Sequence, residues 1–172
     1  MSTLAAKWSI DGRVALVTGA GGGGTGRTIA RRLARGGASV VVDDLCEEGG
    51  AVTVRLIEEA GGRAAFVQAD VTSETGVQDM IAFAEQTFGG LDILVNNAGG
   101  TPRPHFPEAA PEHWGRTLDL NLRGPMLAIQ EALTAMRKRG GVRSSTSRRS
   151  RASATRLTAR RNTRPQRPAW RA

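Results

Sequence analysis

Short apolar segments alternate with helical patterns from Arg13 to Arg139, and this alternation limits the possible folds more than any other feature. The apolar segments have the length and composition of buried strands. They are Arg13–Thr18, Ala38–Asp43, Ala64–Gln68 and Leu91–Val95. Strands that alternate with helices predict a parallel sheet with right-handed crossovers. The predicted fold class is therefore α/β, a doubly wound parallel sheet that is incomplete, because about four strands are visible where a full sheet has about six.

The last helical pattern spans Pro111–Arg139 and is long enough for one or two helices. Its large apolar residues recur every three or four positions, which is typical of the buried face of a helix. The predicted core stripe consists of Leu118, Leu122, Met126, Ile129 and Leu133.

A glycine-rich segment, Thr18–Gly26, follows the first strand directly and begins the first helix. Glycines permit a tight turn and allow the backbone to approach a pyrophosphate, while the helix N-terminus supplies free N–H groups and a positive dipole end. Because of these flanks, we interpret the segment as a Rossmann-like phosphate-binding loop. A flexible loop without a ligand is the alternative.

Two acidic residues, Asp43 and Asp44, end the second strand. Asp44 lies about twenty residues after Gly24, a distance at which a carboxylate accepts hydrogen bonds from the adenosine ribose hydroxyls. A carboxylate at this position repels a 2′-phosphate, so NAD is favoured over NADP as the cofactor. An acid in a solvated turn is the alternative.

The segment Leu91–Gly99 runs from an apolar strand directly into two amides and an Ala-Gly turn. Carboxamides at the carboxyl end of a strand either hold a ligand or cap a neighbouring strand. The small residues of the turn allow a ring to pack close to the backbone.

These motifs occur in the order found in the short-chain dehydrogenase/reductase (SDR) family, which the chain resembles over about Ser9–Gly141. The matching motifs are Thr18–Gly19 with Gly24 and Gly26, then Asp44, Asp70–Val71, Asn96–Gly99 and Asn121. The resemblance implies an oxidoreductase that transfers hydride between NAD and an alcohol or carbonyl substrate. Intact members of the family are expected to form homo-oligomers, an expectation that we do not extend to a partial domain.

The resemblance also implies roles for individual residues. The cofactor-binding set is Thr18, Gly19, Gly24, Thr25, Gly26, Asp44, Asp70, Val71, Asn97, Ala98 and Gly99. Within this set the glycines of the first loop contact the pyrophosphate, Asp44 binds the ribose, Asp70 and Val71 flank the adenine, and Asn97–Gly99 line the cleft. Asn121 resembles the family's catalytic asparagine, which holds a water in a proton relay. A polar residue that bends a helix is the alternative for Asn121.

Two departures from the family pattern are visible. Four residues, Ala20–Gly23, precede Gly24 where the family has three, and Thr25 replaces an aliphatic residue, so we expect a distorted phosphate loop. The family's chemistry needs a tyrosine as general acid/base, a lysine four residues later and an earlier serine. The chain contains no tyrosine, and its two lysines, Lys7 and Lys138, lie in other contexts. The chain as given is therefore expected to be catalytically inactive.

The formal net charge of +8 is concentrated at the end of the chain. Residues 1–141 carry a net charge of −2, whereas residues 142–172 contain ten arginines and no acidic residue. This change divides the chain into a partial dinucleotide-binding domain, 1–141, and a basic low-complexity tail, 142–172, that is expected to be disordered. A genuine basic tail that binds nucleic acid through phosphates is the alternative function, although Trp170 is its one aromatic residue for stacking on bases.

Out-of-frame translation is the explanation of the tail that we favour. Back-translation of Val142–Thr155, read one frame over with allowed codons, gives PVVNISSIAGLGD. The same frame across Arg161–Trp170 gives EYAATKAGV, which restores the family's tyrosine and lysine. The gene's DNA sequence tests this interpretation. As the chain stands, Val142–Ser147 has a single apolar residue, too few for a buried strand, so we expect Leu91–Val95 to remain an exposed, aggregation-prone edge.

The remaining features exclude several other classes of protein. The single cysteine, Cys46, cannot form an internal disulfide, and Met1–Ile10 has no apolar run of the length of a signal peptide or membrane span. A cytoplasmic protein is therefore the expectation. His105 and His113 are not at metal-ligand spacing with Cys46 or with each other, so no metal site is predicted.

Overall fold

Strands and helices alternate along the chain in the computed structural model, which describes residues 10–101, 110–140 and the backbone of 143–146. The strands are β1 (Val14–Thr18), β2 (Ser39–Asp43), β3 (Arg63–Val67), β4 (Ile93–Asn96) and β5 (Arg143–Thr146). The helices are α1 (Thr25–Arg35), α2 (Glu47–Glu58), α3 (Glu74–Phe88), α4 (Pro111–Leu118) and α5 (Gly124–Lys138), and a π-helical turn, Asp119–Arg123, joins the last two.

All the strand pairs of the described sheet are parallel, and the strand order is β3-β2-β1-β4-β5. Helices α1 and α2 cover one face through small and branched side chains such as Ala30 and Ile57. Helices α3 and α5 cover the other face through residues such as Met80 and Met136. The prediction of a doubly wound, Rossmann-like α/β fold is confirmed. The order reverses between β1 and β4, which is where such sheets bind ligands.

The fifth strand corrects one prediction from the sequence. The four predicted strands are present, but we expected an exposed edge at Leu91–Val95, and β5 pairs with β4 from Ile93–Arg143 to Asn96–Thr146. The side chain of Leu94 is buried. The expectation was wrong because parallel pairing uses the backbone N–H and C=O groups, which polar residues also supply. An edge strand tolerates polar residues that a central parallel strand does not.

The core stripe predicted for the last helical segment is buried only in part. Leu118 of α4, Leu122 of the π-helical turn and Met126 of α5 are 58%, 55% and 61% exposed, whereas Ile129 packs against the core. The face that packs on α3 and the sheet consists of Gly124, Ala128, Ala132, Ala135 and Met136. A Cβ atom at position 124 would lie 2.7 Å from the Val71 carbonyl oxygen, so the helix approaches too closely for large side chains. The prediction followed the spacing of the large apolar residues, whereas the closely packed face of α5 consists mainly of small residues.

The disordered tail predicted for residues 142–172 falls outside the described residues, apart from the backbone of β5. The division of the chain at residue 141 stays a prediction for the same reason.

Candidate functional site

A cleft of about 310 Å³ opens at the carboxyl ends of the central strands. It is lined by Gly19, Gly22, Asp43, Asp44, Leu45, Cys46, Ala69, Asp70, Val71, Asn97, Ala98, Gly99 and Leu120. These residues come from the loops after β1, β2, β3 and β4 and from the π-helical turn, which meet at the reversal of the strand order. The sequence placed the candidate site at this edge, and the structure brings seven of the predicted residues together there.

The loop after β1 needs glycine at two positions because its backbone packs closely on neighbouring segments. Gly19 has a φ of +63°, and a Cβ atom on it would lie 2.8 Å from the Ala98 Cα atom. A Cβ atom on Gly26 would collide with the Gly19 carbonyl oxygen. The first turn of α1 can therefore lie against the end of β1.

The extra residue of this loop is accommodated by a clamp from α1 and α2. The Arg27 guanidinium donates to the carbonyl oxygens of Gly21 and Gly49 and, through Nε, to Thr53 Oγ1 at 2.8 Å. Thr53 Oγ1 in turn donates to the Ala20 carbonyl oxygen at 2.8 Å. The inserted residue was expected to distort the loop, but Arg27 and Thr53 bind the backbone of the inserted segment. The sequence motif gave no role to either residue.

Asp44 joins the glycine loop to the start of α2. Its Oδ2 accepts from Gly21 N at 2.8 Å and its Oδ1 accepts from Cys46 N at 3.0 Å. An ionised carboxylate has about four acceptor sites, so this half-buried side chain keeps capacity for ligand hydroxyls. Across the cleft, Asp70 Oδ1 accepts from the backbone N and Oγ1 of Thr72, both at 2.8 Å. Both predicted acids therefore line the cleft with rigidly held carboxylates.

Asp43 also lines the cleft, and the sequence analysis gave it no role of its own. Its side chain is 1% exposed, and Oδ1 has no hydrogen-bond partner among the described residues. Burial, together with the neighbouring Asp44 carboxylate, raises the pKa of Asp43 to about 8. The Asp70 carboxylate raises this pKa further, while the backbone amides of Ala69 and Gly19 oppose the increase. The carboxyl is therefore mostly neutral at pH 7.

The amides after β4 hold the site together from within. Thr18 Oγ1 accepts from the backbone N–H groups of Asn97 and Ala98, both at 3.0 Å. The Asn97 side chain donates to the Thr18 and Gly19 carbonyl oxygens at 2.9 and 3.0 Å. The sequence left open whether these carboxamides hold a ligand or cap a neighbouring strand. The Asn97 side chain caps the end of β1, and Asn97 also lines the cleft. Thr18 is buried and does not line it.

Asn121 lies on the π-helical turn and bonds to the loop after β4. Its Oδ1 accepts from Gly100 N at 3.1 Å, and its Nδ2 donates to the carbonyl oxygens of Gly100 and Thr117 at 2.6 and 2.8 Å. π-Helical turns are often found at functional sites. Asn121 does not line the cleft in this structure, and neither do Gly24, Thr25 and Gly26 of the loop after β1. Their ligand contacts stay predictions.

Two other kinds of site were searched for in the described part of the chain. There, no group of three or more His, Cys, Asp and Glu side chains is placed to hold a metal ion. Within the same residues, no helix combines the length and the apolar character that crossing a membrane requires.

A glycine loop before a helix, an acid at the end of the next strand and a cleft at the switch point together define a Rossmann-like dinucleotide-binding fold. The sequence model of the short chain dehydrogenase family matches residues 13–149. The chain therefore belongs to the short-chain dehydrogenase family of oxidoreductases. The match extends past residue 141 into the segment that contains β5.

Individual relatives agree with this assignment. The chain is 41% identical to an uncharacterized oxidoreductase of Thermotoga maritima over 133 residues. The aligned region covers 77% of this chain and 52% of the relative. It is 37% identical over 131 residues to glucose 1-dehydrogenase 2 of Bacillus subtilis, which covers 75% of this chain and 50% of the relative. The chain spans about half the length of the curated relatives it matches.

Solved structures show the same half-length similarity. A 7α-hydroxysteroid dehydrogenase complexed with NADH and 7-oxo glycochenodeoxycholic acid superposes with a TM-score of 0.76 at 36% identity, over 80% of this chain and 53% of that one. A hydroxysteroid dehydrogenase from Escherichia coli gives a TM-score of 0.75 at 36% identity, over 80% of this chain and 57% of that one.

Proposed function

We propose that this chain binds NAD(H) and represents the cofactor-binding half of an oxidoreductase acting on an alcohol/carbonyl pair. The observation that carries the proposal is the Asp44 carboxylate, which faces the cleft at the end of β2 and is held by the glycine loop. A structural relative at 36% identity is complexed with NADH, which supports the same ligand class here. When bound, the nicotinamide ring supplies the site that accepts or donates hydride.

The cleft residues divide the work of holding such a dinucleotide. Asp44 accepts the ribose hydroxyls, and Gly19 allows the pyrophosphate to approach the N-terminus of α1. Asp70 and Val71 flank the adenine. Asn97–Gly99 line the part of the cleft nearest β4, where small residues let a ring lie against the backbone.

The preference for NAD(H) over NADP(H) gives a direct test by mutation. No lysine or arginine is among the described residues that line the cleft, so a 2′-phosphate would meet Asp44 without a compensating charge. We expect the chain to bind NADH more tightly than NADPH, and Asp44→Ala to weaken NADH binding about tenfold to a hundredfold, since hydrogen bonds to charged groups contribute about 1.5–3 kcal/mol. Fluorescence titration measures each dissociation constant.

The matched control is Asp79→Ala, which removes the same charge from an exposed position on α3. It should leave the affinity for NADH unchanged. Tighter binding of NADPH than of NADH by the unmutated chain would contradict the NAD assignment. An Asp44→Ala variant with unchanged NADH affinity would show that this carboxylate does not contact the ribose.

Self-association is proposed through the exposed apolar stripe formed by Leu118, Leu122 and Met126. Exposed apolar surface of this kind marks interaction sites. The half-buried Leu133 lies further along α5, whereas Ile129 packs partly against the core. This surface, not the edge of β4, is the source of association that the structure supports. It also gives a physical basis for the homo-oligomer expected of intact family members.

We expect the chain to associate in a concentration-dependent manner and the double variant Leu122→Glu/Met126→Glu to shift the population to monomer. Both side chains are more than half exposed, so the substitutions should cost the fold less than about 0.5 kcal/mol each. Sedimentation velocity measures the distribution. Leu45→Glu, at a leucine that is 64% exposed elsewhere, is the control and should associate like the unmutated chain. Equal association of all three proteins would exclude the stripe.

The nucleic-acid alternative depends on the arginine-rich tail, which lies outside the described residues except for the backbone of β5. No observation on the described part favours it, and it stays a prediction, as do the cytoplasmic location and the out-of-frame origin of the tail.

A further inference from the structure

Gly21, which lies in the glycine loop after β1, connects two charged side chains through its own backbone. Its N–H donates to Asp44 Oδ2 at 2.8 Å, and its carbonyl oxygen accepts from the Arg27 guanidinium. Gly21 is buried, and a Cβ atom on it would lie 2.8 Å from the Asp44 Cβ and Cγ atoms. The position of this backbone and that of the Asp44 carboxylate are therefore fixed together.

Arg27 holds Gly21 against the start of α2 and does not itself line the cleft. Its guanidinium also donates to the Gly49 carbonyl oxygen at 3.2 Å and, through Nε, to Thr53 Oγ1 at 2.8 Å. Thr53 is fully buried, and its hydroxyl donates to the Ala20 carbonyl oxygen at 2.8 Å. Thr53 is also absent from the cleft lining. These two side chains therefore act on a bound ligand through the loop backbone, apart from the long-range effect of the Arg27 charge.

We propose that Arg27 and Thr53 are positioning residues for Asp44, which fix Gly21 so that the carboxylate is held where it accepts the ribose hydroxyls of NAD(H). The inference rests on the proposed function, because it takes the cleft to hold a nicotinamide dinucleotide. A carboxylate that is fixed before binding loses little conformational freedom when the ligand arrives. The same fixed position makes a 2′-phosphate meet its negative charge. Loss of the Arg27 contacts frees the loop, so NADH binding weakens and the discrimination against NADPH falls.

The test uses substitutions that break these contacts and keep the charge of the chain. Arg27→Lys keeps the positive charge but loses the planar fork that binds two carbonyl oxygens and a hydroxyl. Thr53→Val keeps the size of the side chain and removes its hydroxyl. Fluorescence titration gives the dissociation constants for NADH and NADPH. We expect both variants to weaken NADH binding about tenfold, as is typical of residues in one hydrogen-bond network, and to change NADPH binding less than about threefold.

A double variant shows whether the effect passes through Asp44. In the Asp44→Ala background, Arg27→Lys should weaken NADH binding no further, because the group that Arg27 positions is absent. Thr53→Ser restores the hydroxyl and should bind both cofactors as the unmutated chain does. The matched control is Arg32→Lys, at an exposed arginine of α1, which should leave both dissociation constants unchanged.

Three results would overturn the positioning role while leaving NAD binding intact. They are equal weakening of NADH and NADPH binding by Arg27→Lys, an unchanged NADH affinity in that variant, and additive losses in the double variant. Absence of NADH binding by the unmutated chain would overturn the proposed function and the inference together. Circular dichroism and thermal melting restrict the comparison to folded variants. If the buried Thr53→Val substitution prevents folding, the titrations of Arg27→Lys, at a half-buried position, decide the question alone.

Discussion

Incubation of the purified chain with NAD⁺ and a series of secondary alcohols is expected to show no turnover above the background without protein. Proton transfer by a positioned acid or base contributes about 10²–10⁴-fold to such reactions. The chain has no tyrosine to perform it. The Lys138 ammonium pairs with Glu85 at 2.9 Å and does not line the cleft. We therefore expect NADH binding without catalysis.

Among the described residues, no titratable side chain that could replace a catalytic tyrosine lies at the end of the cleft nearest β4. The titratable side chains that line it, Asp43, Asp44, Cys46 and Asp70, follow β2 and β3. Asn121, which resembles the family's catalytic asparagine, uses both amide positions to bind Gly100 and Thr117 and does not titrate. An amide can position a water, but it cannot take up the proton that leaves an alcohol.

The measurement is NADH formation under single-turnover and steady-state conditions, in parallel with glucose 1-dehydrogenase 2 of Bacillus subtilis acting on glucose as a positive control. The two histidines of the chain, His105 and His113, are further acid–base candidates by residue type, so His105→Ala, His113→Ala and Asn121→Ala accompany the unmutated chain. Turnover that any of these substitutions abolishes would refute the expectation of inactivity, and so would turnover that copurifies with the chain in every variant. Turnover that separates from the chain on repurification would come from a contaminating enzyme.

The order of elements was predictable from the sequence because it depends on local patterns. Continuous apolar runs, such as the three valines of β2, are characteristic of strands buried on both faces, and glycine at φ +79° ends α3 at Gly89 as expected of a helix terminator. Asp44 was assigned to the cofactor site from its distance to the glycine loop, whereas Asp70 and Asn97 were assigned through the family resemblance. All three line the cleft because loops after parallel strands meet at one edge of the sheet.

The packing of α5 and the pairing of β5 were not predictable in the same way. A periodicity analysis weights large apolar residues, so it selected Leu122 and Met126, whereas the close approach of Gly124 to Val71 is visible only in three dimensions. The polar segment of β5 pairs through its backbone, which leaves no hydrophobic signal. The hydrogen bonds by which Arg27 of α1 binds Thr53 and Gly49 of α2 also have no sequence motif.

Asp43 shows what a motif alone leaves out. Both acids at the end of β2 are visible in the sequence, but only alternation along the strand distinguishes the one that faces the interior. The family resemblance supplied a role for Asp44 and none for Asp43. Its burial and the unpaired Oδ1 atom are properties of the assembled site.

The stability of the chain without ligand is expected to decrease as the pH rises from about 4 to about 8 because of Asp43. The unfolded chain has an ordinary aspartate with a pKa near 3.8, whereas the folded chain holds this pKa at about 8. Between these two values the folded state binds a proton that the unfolded state has released. Each pH unit therefore lowers the free energy of unfolding by about 1.4 kcal/mol, until the loss levels off above pH 8.

The full window corresponds to a loss of the order of 5 kcal/mol, a large part of the roughly 5–15 kcal/mol by which whole domains are stable. Asp43→Asn keeps the size and hydrogen-bonding capacity of the side chain and removes the titration. We expect the variant and the unmutated chain to be similar near pH 4, and the variant to become progressively more stable up to about pH 8. Urea unfolding followed by far-UV circular dichroism gives the free energy of each protein at each pH.

The difference between the two proteins reports the ionisation of Asp43 together with its coupling to Asp44 and Asp70, because more distant groups titrate alike in both. Asp79→Asn, at an exposed position, should give the pH profile of the unmutated chain. Parallel profiles for the unmutated chain and Asp43→Asn would show that Asp43 ionises normally in the folded state.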